Sequence, residues 1–455
     1  MNMLRLSLLP AALVALQSAL PGAASAQVKC VDETTLATTA DTERADATAL
    51  PPPRERLAAM VQTALTRSNA VGASSLLADA AQSDLAEART ALDPSISIEA
   101  RLGPFGNKDG NTTVNNTVQA EGTISFTQLL YDAGRARRVI DWRQHLADAA
   151  LHNQISAQEQ VAALTVGLAL EHSRFRQHVQ VYGQYVRKMV CLTEALETIV
   201  AADRGRASEW VQAQKSLEQA QLSQTQAQAQ MRQVETRLRK LVGQDLPSTE
   251  GMSTAMLVVP DREETLAAAL DNPLLRQLSA QALAADRYAQ SVEASAWPQV
   301  DFTAKGGGEH SLGEGAGPNI RKKSGNAGLS IRIPITTRGT AHATDAAQLR
   351  ARAAFLQRDE ALESQRARID EVHDQALAAF DRARRVGSVL RNSEMLRNFT
   401  LQQWQQLGRR SLFDVMSTEA EHFNLRVQYV NALHDGQQLN VVMLSLGRGV
   451  GGWLR

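Results

Sequence analysis

The chain has 455 residues, with 48 Lys and Arg balanced by 48 Asp and Glu for a formal net charge of zero. That balance excludes the strong basic excess expected of a nucleic-acid-binding protein. Abundant Ala, Gln and Arg, with only 13 prolines and 4% aromatic residues, favour long helices over a compact sheet-rich core.

Residues 1–26 read as a secretory signal. Arg5 provides the positive start, Leu6 to Leu20 the apolar stretch, and Ala24-Ser25-Ala26 the small-residue cleavage site. Lys29 directly precedes Cys30, which argues against a lipid-attachment box. No later segment is apolar enough to span a bilayer as a helix. An exported chain of this kind is either soluble in the periplasm or enters the outer membrane as strands. Cys30 and Cys191 are the only cysteines. In an oxidising compartment they form either a disulfide or two unpaired thiols.

Residues 27–53 are rich in Thr, Ala and Asp, end in three prolines, and read as a linker. Helical patterning runs from Arg54 to about Ala91. Ile96, Ile98 and Ala100 then alternate with Ser95, Ser97 and Glu99, the period of a strand with one polar face. A polar loop follows, and "TVQAEGTISFTQLLYDAG" alternates again. After Gly134 a helical period continues for about 70 residues, roughly 100 Å. Phe175, Val179, Tyr182, Val186, Met189, Leu192, Leu196 and Ile199 step by four and three, the seam of coiled-coil-like packing. "DRGRASEW" interrupts it. Gly205 there is expected to adopt the left-handed conformation that ends a helix, and Ser208 to cap the next one. The return helix reaches about Val242.

A shift of about 204 residues repeats this order. Asn69 falls on Asn272, Pro94 on Pro298 and Gly134 on Gly339, and "LGRRSLFDV" gives a second turn at Gly408 and Ser411. The chain is therefore a duplicated unit, 54–243 and 261–447, joined by an irregular crossover at 244–260 and followed by a tail at 448–455. The fold class is mainly α with a small β part. Four strands cannot close a barrel, for which about eight are needed, and open edges in lipid are not viable. The strands must therefore close with those of other copies.

Two copies of strand-loop-strand, each followed by a Gly that opens a very long helix and then a Gly-x-x-Ser tip, resemble the TolC family of outer-membrane channel proteins. The carriers are "ISFTQLLYDAG" with "LSIRIPITTRG", "NPLLRQLSAQALAADRYAQSVEASAWPQVDF", and the two tips. The resemblance implies a homotrimer with a twelve-stranded outer-membrane β-barrel continuous with a periplasmic α-helical barrel. Its partners would be outer-membrane lipid, a periplasmic adaptor (membrane fusion) protein, and an inner-membrane ABC exporter or proton-driven pump. The family's constriction residues fall on Arg410 and Asp414. Ser417 and Val211 stand where further acids would thicken an acidic ring. Arg204, Gly205, Arg206 and Ser208 at the first tip, with Gly408, Arg409, Arg410 and Ser411 at the second, would form the adaptor-docking surface. The simpler reading of these arginines is favourable solvated charge near helix ends.

No HExxH, Walker loop or GxSxG occurs, and the nine His make no i,i+4 pair, so no catalytic, metal or cofactor site is expected. The function this implies is an exit duct. Its first tip, "DRGRASEWVQA", resembles those of family members paired with type I exporters of large adhesins, which implies type I secretion of a large protein such as an adhesin, with small-molecule efflux as the alternative. A periplasmic coiled-coil scaffold is a more distant reading, disfavoured by the duplicated strand alternation.

Overall fold

In the computed structural model, residues 50–105, 108–109, 112–113, 117–312, 321–335, 338–407 and 410–455 are described. The signal segment, most of the linker, Cys30, Gly408 and Arg409 lie outside them. The first helical stretch is two helices, not one. Helix α1 (Pro53–Arg67) starts on a proline at its first turn, where the missing N–H costs nothing. The chain leaves the helical region at Ser68, whose Oγ accepts the Val71 N–H at 3.3 Å and caps α2 (Asn69–Thr90). Asp93-Pro94 then blocks further helix, and strand β1 (Ser95–Phe105) follows.

Two short strands, β2 (Lys108–Asp109) and β3 (Thr112–Thr113), pair within the first outer loop. Strand β4 (Thr117–Tyr131) leads into α3 (Arg135–Ala202), a single helix of 68 residues. The entry is set by Asp132, whose carboxylate accepts the N–H of Gly134 at 2.9 Å and of Ala136 at 2.6 Å. Those bonds hold Ala133 (φ 55°) and Gly134 (φ 79°) in left-handed conformations and turn the chain from sheet into helix. Helix α4 (Ala207–Val242) returns alongside α3. Its buried positions Ala213, Ala220, Ala227 and Val234 recur every seven residues, the seam of an antiparallel coiled-coil hairpin.

The crossover from Gly243 to Pro260 is irregular apart from one 3₁₀ turn at Met252–Thr254. The second unit contains α5 (Arg262–Ala269), α6 (Pro273–Ala294), β5 (Gln299–Leu312), β6 (Arg321–Arg332), α7 (Arg338–Leu407) and α8 (Leu412–Leu446). A short α9 (Val450–Leu454) closes the chain, where a tail was expected. Val450 is fully buried there, and Trp453 and Leu454 pack on the same core.

All four long strands form one antiparallel sheet in the order β1-β4-β5-β6, so the two repeats join through β4 and β5. The main core lies midway along the long helices. There Leu57 and Met60 of α1 meet Val166, Ala169 and Leu170 of α3, Leu238 of α4 and Met252 of the crossover. A second cluster, with Met189, Leu192, Leu196, Ala213, Ala220, Leu412 and Val415, sits near the hairpin tips. Every residue of the seam predicted along α3 is at least partly buried.

The crossover is fastened to this frame by buried amides. Gln437 donates through Nε2 to the carbonyls of Met252 at 2.9 Å and Ala255 at 2.5 Å. Asn440 donates through Nδ2 to those of Met256 at 2.7 Å and Val258 at 3.1 Å. The Arg56 guanidinium donates to the carbonyls of Pro51, Ser248 and Glu250. An irregular segment buried this way survives because side chains stand in for the missing backbone ladder.

Candidate functional site: a two-faced sheet and two hairpin tips

Residues directly opposite one another across an antiparallel ladder share a face. In this sheet the pairing largely separates two chemistries, with Gln128, His310 and Lys323 as polar residues on the apolar side. One face carries Ile96, Ile98 and Leu102 of β1, Phe126, Ile124 and Val118 of β4, Phe302 and Ala304 of β5, and Leu329 and Ile331 of β6. Most of these are exposed, Ile98 at 77% and Ile96 at 71%. The opposite face carries Ser95, Ser97, Glu99 and Arg101, then Thr127, Ser125, Thr123 and Glu121, then Thr303, Lys305 and Glu309, then Ser324, Asn326 and Ser330. Arg101 bridges Glu99 at 3.0 Å and Glu121 at 4.0 Å on it. A bare apolar face backed by a polar one suits a wall between hydrocarbon and water. Among the described residues no helix is long and apolar enough to cross a membrane.

At the far end of α3 the first tip differs from its expected chemistry. Gly205 is not left-handed, and Ser208 lies inside α4 without capping it. The cap is Asp203, whose carboxylate accepts the Gly205 N–H at 3.0 Å and opens a 3₁₀ turn over Arg204–Arg206. Glycine at 205 eases this approach, since a Cβ there would lie 3.1 Å from the Asp203 carboxylate. The Asp-x-Gly spacing is a turn signal in its own right. Arg204 is exposed, and Arg206 pairs with Glu209 at 3.3 Å.

The second tip contains the cap expected of it. Ser411 Oγ accepts the Asp414 N–H at 3.2 Å, and Asp414 Oδ2 accepts the Ser411 N–H at 3.2 Å, a reciprocal capping box. Asp414 also lies 3.9 Å from Arg410, which donates to Gln403 at 3.3 Å. Asp414 thus has a structural duty besides any in a constriction. Val211 and Phe413 are exposed apolar residues beside the two turns.

Above the tips a buried polar column joins the two hairpins, and sequence reasoning missed it. Glu419 of α8 is fully buried, 3.6 Å from Lys188 of α3 and 3.7 Å from Arg397 of α7. Higher up, Arg174 of α3 donates to Asn431 at 2.8 Å and pairs with Asp435 of α8 at 3.2 Å. Burial, with Arg174 nearby, pushes His178 down to about 4; burial does the same to His434, with Arg174 and His178 adding to it. Burial and the neighbouring Arg397 bring Arg426 down to about 10. On the helix surface the same residues would read as ordinary solvated charge, and their spacing carries no other signal. Cys191, partly buried on α3, is disulfide-bonded. Among the described residues no group of His, Cys, Asp and Glu is placed to hold a metal ion.

The family model described as outer membrane efflux protein matches residues 60–244, the first repeat from α1 to the end of α4. The match covers the first repeat and leaves the second outside it. No curated protein matches it in sequence. Among solved structures, CusC, described as forming a transmembrane channel, is 16% identical with a TM-score of 0.77, covering 86% of this chain and 92% of its own. A membrane protein from Pseudomonas aeruginosa is 15% identical with a TM-score of 0.78, over 87% of this chain and 91% of its own. The outer membrane protein VceC of Vibrio cholerae is 17% identical with a TM-score of 0.75, over 86% and 96%. At such identities the likeness is one of fold, and it extends over both repeats. The matched family is described as outer membrane efflux proteins, and these neighbours are described as channel or membrane proteins.

Proposed function

We propose that three copies assemble into the exit duct of a tripartite export system. The observation that carries this reading is the two-faced sheet, open at β1 and β6, continuous with helices of about 100 Å. Three copies would close twelve strands, with the apolar face to lipid and the polar face to a water-filled lumen. Leu349 and Leu356, one heptad apart on α7 and both exposed in the single chain, supply apolar surface for a neighbouring copy. The tips would meet a periplasmic adaptor through Arg204, Arg206, Arg409 and Arg410, and the adaptor would couple the duct to an inner-membrane pump. Asp414 and Arg410 would line the closed end.

Type I secretion of a large protein such as an adhesin is our reading of the cargo, supported by the sequence of the first tip. Small-molecule efflux through a proton-driven pump is the second reading, favoured by the family's own description. Deleting the gene and comparing the secreted proteins with the drug tolerance of the cells separates the two. The duct itself is tested in planar bilayers. Replacing both Asp414 and Arg410 with Ala should raise resting conductance several-fold; an unchanged conductance removes them from the gate. A purified outer membrane in which cross-linking yields no trimer overturns the assembly.

A further inference from the structure

We infer, taking the sheet as a membrane wall, that Lys323 and His310 form a cationic rim on its lipid side that takes the phosphate of a lipid headgroup in the leaflet nearest the loops. The partner is an anionic, phosphate-bearing lipid, and the contact lies outside the duct.

Register places this rim at a definite height. Tyr131 pairs with Val300, and Val300 with Ile331, at the end of the sheet that leads into the helices. Tyr131 is 53% exposed there, and Trp297, two residues before β5, is 61% exposed. Exposed aromatic residues of this kind settle at the level of lipid headgroups. Outwards along β5, Gly308 is the residue opposite Lys323, and His310 lies one row further. At about 3.4 Å per residue and a tilt of about 40°, these rows stand roughly 21 Å and 26 Å across the bilayer from the Tyr131 row. The apolar band of a strand wall is about 25 Å tall. Lys323 and His310 therefore straddle its far boundary.

Charge is sorted by face. Glu99, Glu121, Asp301 and Glu309 all hold positions on the polar face, and no acid holds a paired position on the apolar one. Among the described residues the sheet's ion pairs join Arg101 to Glu99 and Glu121 on the polar face, and none reaches Lys323. Lys323 is exposed, and His310 Nδ1 has no hydrogen-bond partner. Arg321 holds the register position opposite His310. A cation is strongly disfavoured in the middle of a lipid-facing surface and tolerated at its boundary. Phosphate at that boundary supplies the counter-charge that the face itself lacks.

The surface around Lys323 is bare. Gly308 lies across from it and Gly325 follows on the same face of β6, while an added Cβ at Gly122 or Gly306 would meet nothing within 4 Å. Glycine at these positions leaves the backbone uncovered, so a headgroup can approach the lysine along the sheet.

Spin-labelled lipids test this in the full-length assembled protein, reconstituted at low ionic strength in phosphatidylcholine vesicles. The labelled phosphatidylcholine held immobile at the protein reports the wall. The preference for labelled phosphatidic acid over it reports the rim. That preference should be about fivefold, the gain for one basic residue near an anionic lipid surface. Lys323→Gln with His310→Gln should abolish it, Lys323→Arg should keep it, and Lys305→Gln on the polar face should leave it unchanged. No preference in the original protein, or one that survives the double variant, overturns the rim and leaves the wall standing. Absence of any immobile lipid overturns both. Inorganic phosphate at matched ionic strength should not compete; a preference that it abolishes marks a site for the free ion and overturns the lipid contact.

Discussion

Glu419 offers the most direct test of how the two hairpins are held together. It is fully buried, between Lys188, 9% exposed, and Arg397, 11% exposed. Removing one member of a buried ion cluster leaves the others desolvated without a counter-charge, which costs about 3–5 kcal/mol. Glu419→Ala takes the shared acid away from Lys188 and Arg397 at the contact of α3, α7 and α8. The loss is local, because the midway core around Leu57, Leu170 and Leu238 is far up the helices. Amide exchange over 185–200 and 392–424 should therefore rise by about a hundredfold or more, while exchange around 162–170 stays as it was. Replacing the trio together, with Glu419→Leu, Lys188→Met and Arg397→Met, should bring exchange back to within about tenfold of the original. Such clusters often equal well-packed apolar groups in stability. Exchange within threefold of the original in Glu419→Ala would refute the argument that this cluster holds the hairpins together.

Acid should loosen the same interface. The folded values of His178 and His434 lie near 4, below the ordinary 6.5, so the unfolded chain binds more protons between those limits. Their contribution is complete above pH 6.5 and falls as pH drops towards 4, by up to about 3 kcal/mol for each histidine. Urea unfolding followed by helical circular dichroism should show lower stability at pH 5 than at pH 7.5, and His178→Phe should remove part of that slope. The sheet provides a third test. Ile124→Arg on the apolar face should cost about 2–4 kcal/mol in membrane insertion, whereas Thr123→Arg, one residue away on the polar face, should insert normally. Equal behaviour of the two in an outer-membrane assembly assay would overturn the assignment of the faces.

Much of this protein was legible before any coordinates. The duplication, the strand alternation and the length of α3 follow from periodicity, which survives in one dimension because a helix or strand repeats its own contacts. The second tip was legible too, since a serine followed three residues later by an acid is a local device. The first tip was not, because Asp203 and Ser208 are both plausible caps, and only the path of the backbone decides between them. The break at Ser68 was hidden for the same reason: helical periodicity continues across it.

What only the tertiary structure decided is the chemistry between distant segments. Glu419, His434, Gln437 and Asn440 sit on a helix whose composition suits solvent as well as a core. They are buried because α8 lies between α3, α7 and the crossover. Which of two hydrophilic-looking faces loses its water depends on packing partners many residues away, and nothing local encodes it. The joining of β4 to β5 is of the same kind: alternation states that each strand has an apolar side, and only the register lines those sides up into one continuous face.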